Sequence, residues 1–127
     1  MPVADPSALA FLQNRRSRPA KTLGLPVPDA EALRPLLTAA ARTPDHGKLE
    51  PWRFVVIDRA AMARLAEVAE KRGAALGLGP EDTAKGLGQF DQGNLAVAVI
   101  EVQKPSPKIP PLEQTYSAGA VCLALLN

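Results

Sequence analysis

Cysteine and histidine each occur only once in this sequence of 127 residues. The single cysteine, Cys122, excludes an internal disulfide and any zinc site built on cysteine spacing. The single histidine, His46, adds too little to assemble a metal site of another kind. We therefore predict no bound metal, and we take a reducing, cytoplasmic setting as the expectation.

Aromatic residues and an excess of charge are also scarce. Aromatic side chains make up 4% of the chain, and the 15 Lys and Arg are nearly balanced by 13 Asp and Glu, for a net charge of +2. A nucleic-acid binder needs a basic surface and usually aromatic side chains that stack on bases. The composition therefore predicts that nucleic acid is not a partner.

Long hydrophobic runs are absent as well. No stretch approaches the roughly 18 apolar residues of a membrane span, and residues 1–10 lack the basic start and apolar core of a secretion signal. The 46% apolar and 22% charged residues are in the globular range. We expect one soluble domain over residues 1–127, with no membrane partner.

Two common classes of enzyme lack their motifs here. Gly77-Leu78-Gly79 and Gly86-Leu87-Gly88 do not extend to a dinucleotide fingerprint or to a phosphate-binding loop with its lysine. No Gly-x-Ser-x-Gly motif places a serine as nucleophile, which argues against a hydrolase.

Three aspartates predict the starts of helices. Asp5 precedes a short helix that extends to about Asn14, Asp29 precedes a leucine-rich helix, and Asp58 precedes a third. Pro35 predicts a kink in the second helix or a later start near Arg34. Glycines from Gly73 onward predict the end of the third.

The remaining pattern predicts two strands and two more helices. Trp52–Ile57 is typical of a buried strand with Trp52 in the core, and Leu95–Val102 is typical of a second strand. A loose helix is expected over 81–92, and an apolar helix containing a buried Cys122 runs from Leu112 to Asn127. Two strands alone would leave exposed edges, so we expect a missing C-terminal part or a partner that supplies it.

A candidate anion site combines residues from the ends of the first two helices. Arg15, Arg16 and Ser17 follow the first helix, and Arg42 and His46 follow the second. Two guanidinium forks and a hydroxyl suit a phosphate monoester, which suggests a phosphorylated cofactor. Plainer alternatives stay open: a solvated helix end for the arginine pair, an ion pair for Arg42, and a turn at His46 that the neighbouring Asp45 starts or orients.

Taken together, these motifs resemble the nitroreductase family of FMN-dependent NAD(P)H oxidoreductases, and specifically its small YdjA-like branch. The resemblance rests on order and spacing over most of the chain. Its motifs are Arg15-Arg16-Ser17, Arg42-Thr43-Pro44-Asp45-His46, Glu50-Pro51-Trp52-Arg53-Phe54, Glu113-Gln114 and Ser117-Ala118-Gly119.

The resemblance implies an α+β fold with an antiparallel-containing sheet flanked by helices, in a homodimer that binds FMN at the subunit interface. It implies hydride transfer from NAD(P)H (NADH or NADPH) through the flavin to nitro compounds, quinones or similar small-molecule acceptors, with no catalytic side chain. Arg15, Arg16 and Ser17 would contact the FMN phosphate, ribityl and pyrimidine side. Arg42 and His46 would complete the site from the partner subunit.

The sequence departs from the family pattern in two places. Lys48 and Glu50 stand where many members carry Asn or Gln before the Pro-Trp pair. The chain also resembles only about the N-terminal two-thirds of a nitroreductase, so we expect it to be C-terminally incomplete. The alternative function is accordingly a non-catalytic fragment that dimerises or associates through its last helix.

Overall fold

Five α-helices and two β-strands form residues 3–127, the part of the chain that the computed structural model describes. The helices are α1 (Pro6–Asn14), α2 (Ala30–Ala40), α3 (Arg59–Ala75), α4 (Pro80–Asp91) and α5 (Pro111–Leu126). The strands are β1 (Trp52–Ile57) and β2 (Ala96–Glu101), and short 3-10 turns lie at Ala20–Thr22 and His46–Lys48. Helices beside an antiparallel pair of strands make the predicted α+β fold.

The three aspartate caps form as predicted. Asp5 accepts hydrogen bonds from the backbone N–H groups of Ser7 and Ala8 at the start of α1. The side chain of Asp29 accepts from Ala32 N at 2.9 Å, and that of Asp58 accepts from Ala61 N at 2.7 Å. Each cap satisfies a backbone donor that a helix start leaves unpaired, which typically contributes about 1 kcal/mol.

One predicted helix boundary is wrong and another is confirmed. Pro35 does not delay the start of α2, which runs from Ala30 to Ala40 and buries Leu33 and Ala40 on one side. Helix α3 ends at Ala75, within the glycine-containing segment 73–79 that predicted its end, but Gly73 itself is buried inside the helix, where a Cβ would lie 2.8 Å from Thr83 Oγ1 of α4. The absence of a side chain at Gly73 lets α3 and α4 approach closely, so the glycine serves helix packing rather than chain flexibility.

The sheet consists of β1 and β2 in antiparallel register, with Trp52 opposite Glu101 and Ile57 opposite Ala96. Contrary to prediction, β1 is only half-buried: Arg53 and Val56 are exposed, and Trp52 is intermediate rather than in the core. The reason is that only part of the sheet is covered by helices. Among residues 3–127, each strand pairs along one edge only.

Helix α5 lies at the centre of the fold, packed against α2 and β2. It contributes the fully buried Val121 and the buried Ala118 and Ser117. Cys122, predicted to be buried, is exposed, because one residue along a helix turns the side chain by about 100° away from the buried face. The buried apolar side chains of the described chain include Leu33, Ala40, Pro51, Met62, Ala66, Ile109, Ala118 and Val121.

Much apolar surface has no cover within residues 3–127. An open groove of about 650 Å³ runs between α2 and the sheet, with Leu37, Phe54 and Leu95 among the residues that line it. Helix α1 buries none of its residues. Exposed apolar side chains also line α1 and α5: Leu9, Phe11, Leu12, Leu112, Tyr116, Leu123 and Leu126. Surfaces of this extent in a folded protein usually mark contact with another element or subunit.

Candidate functional site

The arginine cluster, defined as Arg15, Arg16 and Ser17, lies in the turn directly after α1. Arg15 Nε donates a hydrogen bond to Asn127 Oδ1 at 2.8 Å, at the C-terminal end of α5. Arg16 Nη1 donates to the backbone oxygens of Gln13 at 3.1 Å and Arg15 at 2.8 Å. Arg16 and Ser17 are exposed. These bonds of Arg16 to backbone oxygens at the end of α1 agree in part with the alternative of a solvated helix end.

The histidine loop, defined as residues 42–50, connects α2 to β1. His46 lies in its 3-10 turn, and Nδ1 of the ring is 2.7 Å from Glu113 Oε2. Glu113 belongs to the first turn of α5. Both side chains remain open to solvent, His46 at 64% and Glu113 at 46% exposure. The pair connects the loop to the N-terminal end of α5.

The histidine loop holds an unusual backbone. Gly47, Lys48 and Glu50 have φ angles of +71°, +52° and +48°, in the left-handed region. For Lys48 and Glu50, which carry a Cβ, this conformation costs on the order of 1 kcal/mol each. Strain of this kind persists only where surrounding contacts over-determine the backbone, and it concentrates at functional sites.

Contacts on both sides of the loop hold this conformation. The carboxylate of Asp45 accepts a hydrogen bond from Glu50 N at 2.7 Å, so Asp45 shapes the turn rather than orienting His46. Gly47 packs directly against the buried Ile109, and a Cβ at Gly47 would collide with that side chain. The loop is therefore fixed against the segment that leads into α5.

Arg42 lines a second open cleft, of about 580 Å³, beside the histidine loop. The charged residues in its wall are of both signs: Arg42 and Lys48, with Asp45 and Glu50. Within residues 3–127 Arg42 forms no ion pair shorter than 4 Å, so the proposed structural pairing of this side chain is not observed there. Arg42 is exposed to solvent.

The predicted site residues fall into two groups at opposite ends of α5. Arg15 contacts Asn127 at the C-terminal end, and His46 contacts Glu113 in the first turn. At a rise of about 1.5 Å per residue, these contacts are roughly 20 Å apart along the helix axis. Within one chain, the arginine cluster and His46 therefore lie near opposite ends of α5.

Lowered pKa values occur away from both groups. Hydrogen bonds from Gln103 and Thr115 lower the pKa of the Glu101 carboxyl, and hydrogen bonds from Ser7 and Ala8 lower that of Asp5. Both carboxyls serve local structure. Residues 3–127 contain no cluster of His, Cys, Asp and Glu able to hold a metal ion, and no helix there is long and apolar enough to cross a membrane.

Glu113 is the site residue that sequence reasoning missed. Glu113 belongs to one of the sequence motifs, but the sequence does not indicate its partner, because His46 lies 67 residues away along the chain. Only the packing of α5 against the loop brings the two together. The sequence contains no signal that selects Glu113 from the 13 Asp and Glu as the partner of the single histidine.

The structure is an α+β domain in which the predicted site residues follow the ends of α1 and α2. The family model described as "Nitroreductase family" matches residues 12–102. The chain belongs to the nitroreductase family.

Curated relatives support this assignment. The chain is 34% identical over 118 residues to "Putative NAD(P)H nitroreductase YdjA" of Escherichia coli (strain K12), and 33% identical over 119 residues to "Putative NAD(P)H nitroreductase" of Haemophilus influenzae. Each alignment covers 93% of this chain but only 63% and 64% of the respective relative. The chain thus spans less than two-thirds of the length of these proteins.

Proposed function

We propose that this chain forms the cofactor-binding part of an FMN-dependent NAD(P)H oxidoreductase that acts on nitro compounds, quinones or similar acceptors. The observation that carries the proposal is the arginine cluster, placed after α1 in a family of nitroreductases with Arg16 and Ser17 open to solvent. The relatives' names mention NAD(P)H, which supports the nature of the electron donor.

The side chains of the arginine cluster fit a phosphorylated cofactor. Two guanidinium groups and one hydroxyl provide several donors for phosphate oxygens, and charge-assisted bonds of this type are the strong ones. Arg16 would exchange its bonds to the carbonyl groups of Gln13 and Arg15 for bonds to the phosphate, since its present partners are exposed.

Arg42 and His46 would act at the flavin ring, from a second subunit. When bound, FMN would supply the hydride-transfer chemistry between NAD(P)H and the acceptor. Positive charge from Arg42 would stabilise negative charge that develops on the ring, and His46 would offer Nε2 for a hydrogen bond. No catalytic side chain is required; the chain binds, orients and excludes water.

The separation of the two groups supports a homodimer. The arginine cluster and His46 are roughly 20 Å apart along α5, and a two-fold axis perpendicular to α5 that sets the two α5 helices side by side would place the cluster of one subunit near the histidine loop of its partner. The exposed apolar side chains of α1 and α5 provide surface for such an interface. We propose a cytoplasmic dimer with no nucleic-acid or membrane partner.

The test is a titration of the purified chain with FMN, followed by the visible spectrum and by fluorescence quenching, with size measured by gel filtration. We expect a dimer that binds one FMN per chain. Arg16→Ala should weaken binding by about 10-fold to 150-fold, the range for a hydrogen bond to a charged group. Arg18→Ala is the matched control, because Arg18 is an exposed arginine of the same segment outside the cluster; equal losses in both variants would contradict the assignment.

A second candidate function is favoured by the uncovered apolar surface. The chain would then be a non-catalytic fragment that associates through α5, where Leu112, Tyr116, Leu123 and Leu126 are exposed. It would give colourless material that self-associates without FMN. A monodisperse dimer loaded with FMN would exclude this candidate.

A further inference from the structure

We infer that Glu113 is a positioning residue, which holds His46 in a single tautomer and orientation and presents its Nε2 to the ligand; the identity of that ligand rests on the proposed function. The geometry that carries this inference is the contact of 2.7 Å between His46 Nδ1 and Glu113 Oε2.

The chemistry of the two groups fixes the proton on one nitrogen. An ionised carboxylate can only accept hydrogen bonds. The short contact therefore requires that Nδ1 carry the hydrogen, so a neutral ring has its lone pair on Nε2. Nε2 forms no hydrogen bond to the described residues 3–127, which leaves it as the ring position open to a ligand.

The backbone around His46 is held independently of this pair. Gly47 packs on Ile109, and Asp45 accepts from the N–H of Glu50. The loop thereby fixes where the ring is attached, and Glu113 fixes how the ring is turned and which nitrogen is protonated. Neither function duplicates the other, since a fixed backbone still permits rotation of the imidazole.

The elements on which the two residues lie explain the stability of the arrangement. Glu113 is in the first turn of α5, where the helix dipole favours a negative charge. The next residue, Gln114, is buried and bound to the backbone of Lys104, which anchors this turn to the loop before it. The carboxylate is thus presented from a rigid site although its tip is exposed.

The single histidine of the chain makes the tautomer directly measurable. In alkaline solution, ¹⁵N shifts of the imidazole report which nitrogen carries the hydrogen, and only His46 contributes. We expect the Nδ1–H form to predominate in the wild-type chain without FMN. Glu113→Gln should give a mixture of tautomers, because an amide can accept from Nδ1–H or donate to Nδ1.

Glu81→Gln is the matched control variant. Glu81 also lies in the first turn of a helix that begins with proline, α4, and the substitution removes the same charge from a helix start away from His46. We expect this control to leave the tautomer unchanged. A wild-type ring in the Nε2–H form, or a ring unaffected by Glu113→Gln, would overturn the inference.

The connection to the ligand is tested by a double-mutant cycle on FMN affinity. Glu113→Gln should weaken FMN binding about fivefold, the factor for one hydrogen bond of ordinary strength, and should have no effect in a His46→Ala background. Equal losses in both backgrounds would show that Glu113 does not act through His46. Failure of the wild-type chain to bind FMN would instead overturn the proposed function and the ligand assigned to Nε2, whereas the ¹⁵N spectra would still decide the tautomer.

Discussion

Gln114 connects the centre of the fold to the loop that precedes α5, and its replacement is the most informative test of the fold. The side chain is 2% exposed. Its Oε1 accepts a hydrogen bond from Lys104 N at 2.8 Å, and its Nε2 donates to Lys104 O at 2.9 Å. One amide thereby satisfies both backbone groups of one residue.

Gln114→Leu keeps the size of the side chain but leaves both Lys104 backbone groups without a partner. An unpaired buried polar group costs about 1–3 kcal/mol. Because the Lys104 residue itself is exposed, water can reach part of this backbone, and we take the lower end for each group. The expected loss in free energy of unfolding is about 2 kcal/mol.

Urea unfolding followed by the fluorescence of the sole tryptophan, Trp52, provides the assay. With a slope of about 1–3 kcal/mol per molar urea, the expected loss lowers the midpoint by about 1 M. Gln89→Leu is the control, because Gln89 is on α4 and makes only a weak contact of 3.4 Å to Lys85 O; surface changes of this kind stay within about 0.5 kcal/mol.

Gln114→Glu separates the acceptor from the donor. In neutral solution the new carboxylate would still accept from Lys104 N–H but would face Lys104 O without a hydrogen to donate. Protonation restores the donor, so the native state raises the pKa of this carboxyl. Gln114→Glu should accordingly lower the free energy of unfolding least in acid, and the loss should grow as the pH rises.

Equal urea midpoints for Gln114→Leu and Gln89→Leu would refute the reasoning about the two hydrogen bonds of Gln114.

Three further predictions concern other parts of the fold. Hydrogen bonds from Gln103 and Thr115 lower the pKa of Glu101 below its ordinary 4.5. These contacts therefore stabilise the fold above that pH, and the stabilisation is lost as the pH falls through the lowered pKa. The acid-unfolding profile of Glu101→Gln should lack this pH-dependent loss. Gly93→Ala should lower the melting temperature, because a Cβ there collides with the buried Met62, whereas Gly24→Ala, in open space, should not. Arg59→Lys should destabilise by about 1 kcal/mol in urea, since one guanidinium nitrogen donates to two backbone oxygens at the end of α4; a midpoint like that of the wild type would contradict its role.

Local signals in the sequence predicted the helices well. The caps at Asp5, Asp29 and Asp58 each act within three residues of their own position, so the information lies in adjacent letters. The strands were also predicted, and β1 was confirmed with its exact bounds.

Signals that depend on distant partners could not be interpreted. The packing role of Gly73 inside α3 could not be predicted, because its partner, Thr83, comes from the next helix. Cys122 looked buried because an apolar run does not show which face of α5 the fold covers. Two of the six residues of β1, Arg53 and Val56, are exposed for the same reason.

The candidate site was predicted in its parts but not in its arrangement. The arginine cluster, Arg42 and His46 were each selected from residue chemistry, and their binding roles stay predictions. Their separation along α5 and the pairing of His46 with Glu113 follow from packing between segments far apart in the chain. No periodicity or spacing contains that information.

The distance between the two groups of site residues has a consequence for mixed populations of subunits. If each site draws its arginine cluster from one chain and its histidine loop from the other, Arg16→Ala and His46→Ala lesions reside in different halves of every site. A heterodimer of these two weakened variants would concentrate both substitutions in one site and leave the other intact. Unfolding and refolding an equal mixture should therefore restore wild-type FMN affinity at about one quarter of the sites by random pairing, although neither variant alone contains a site of that affinity.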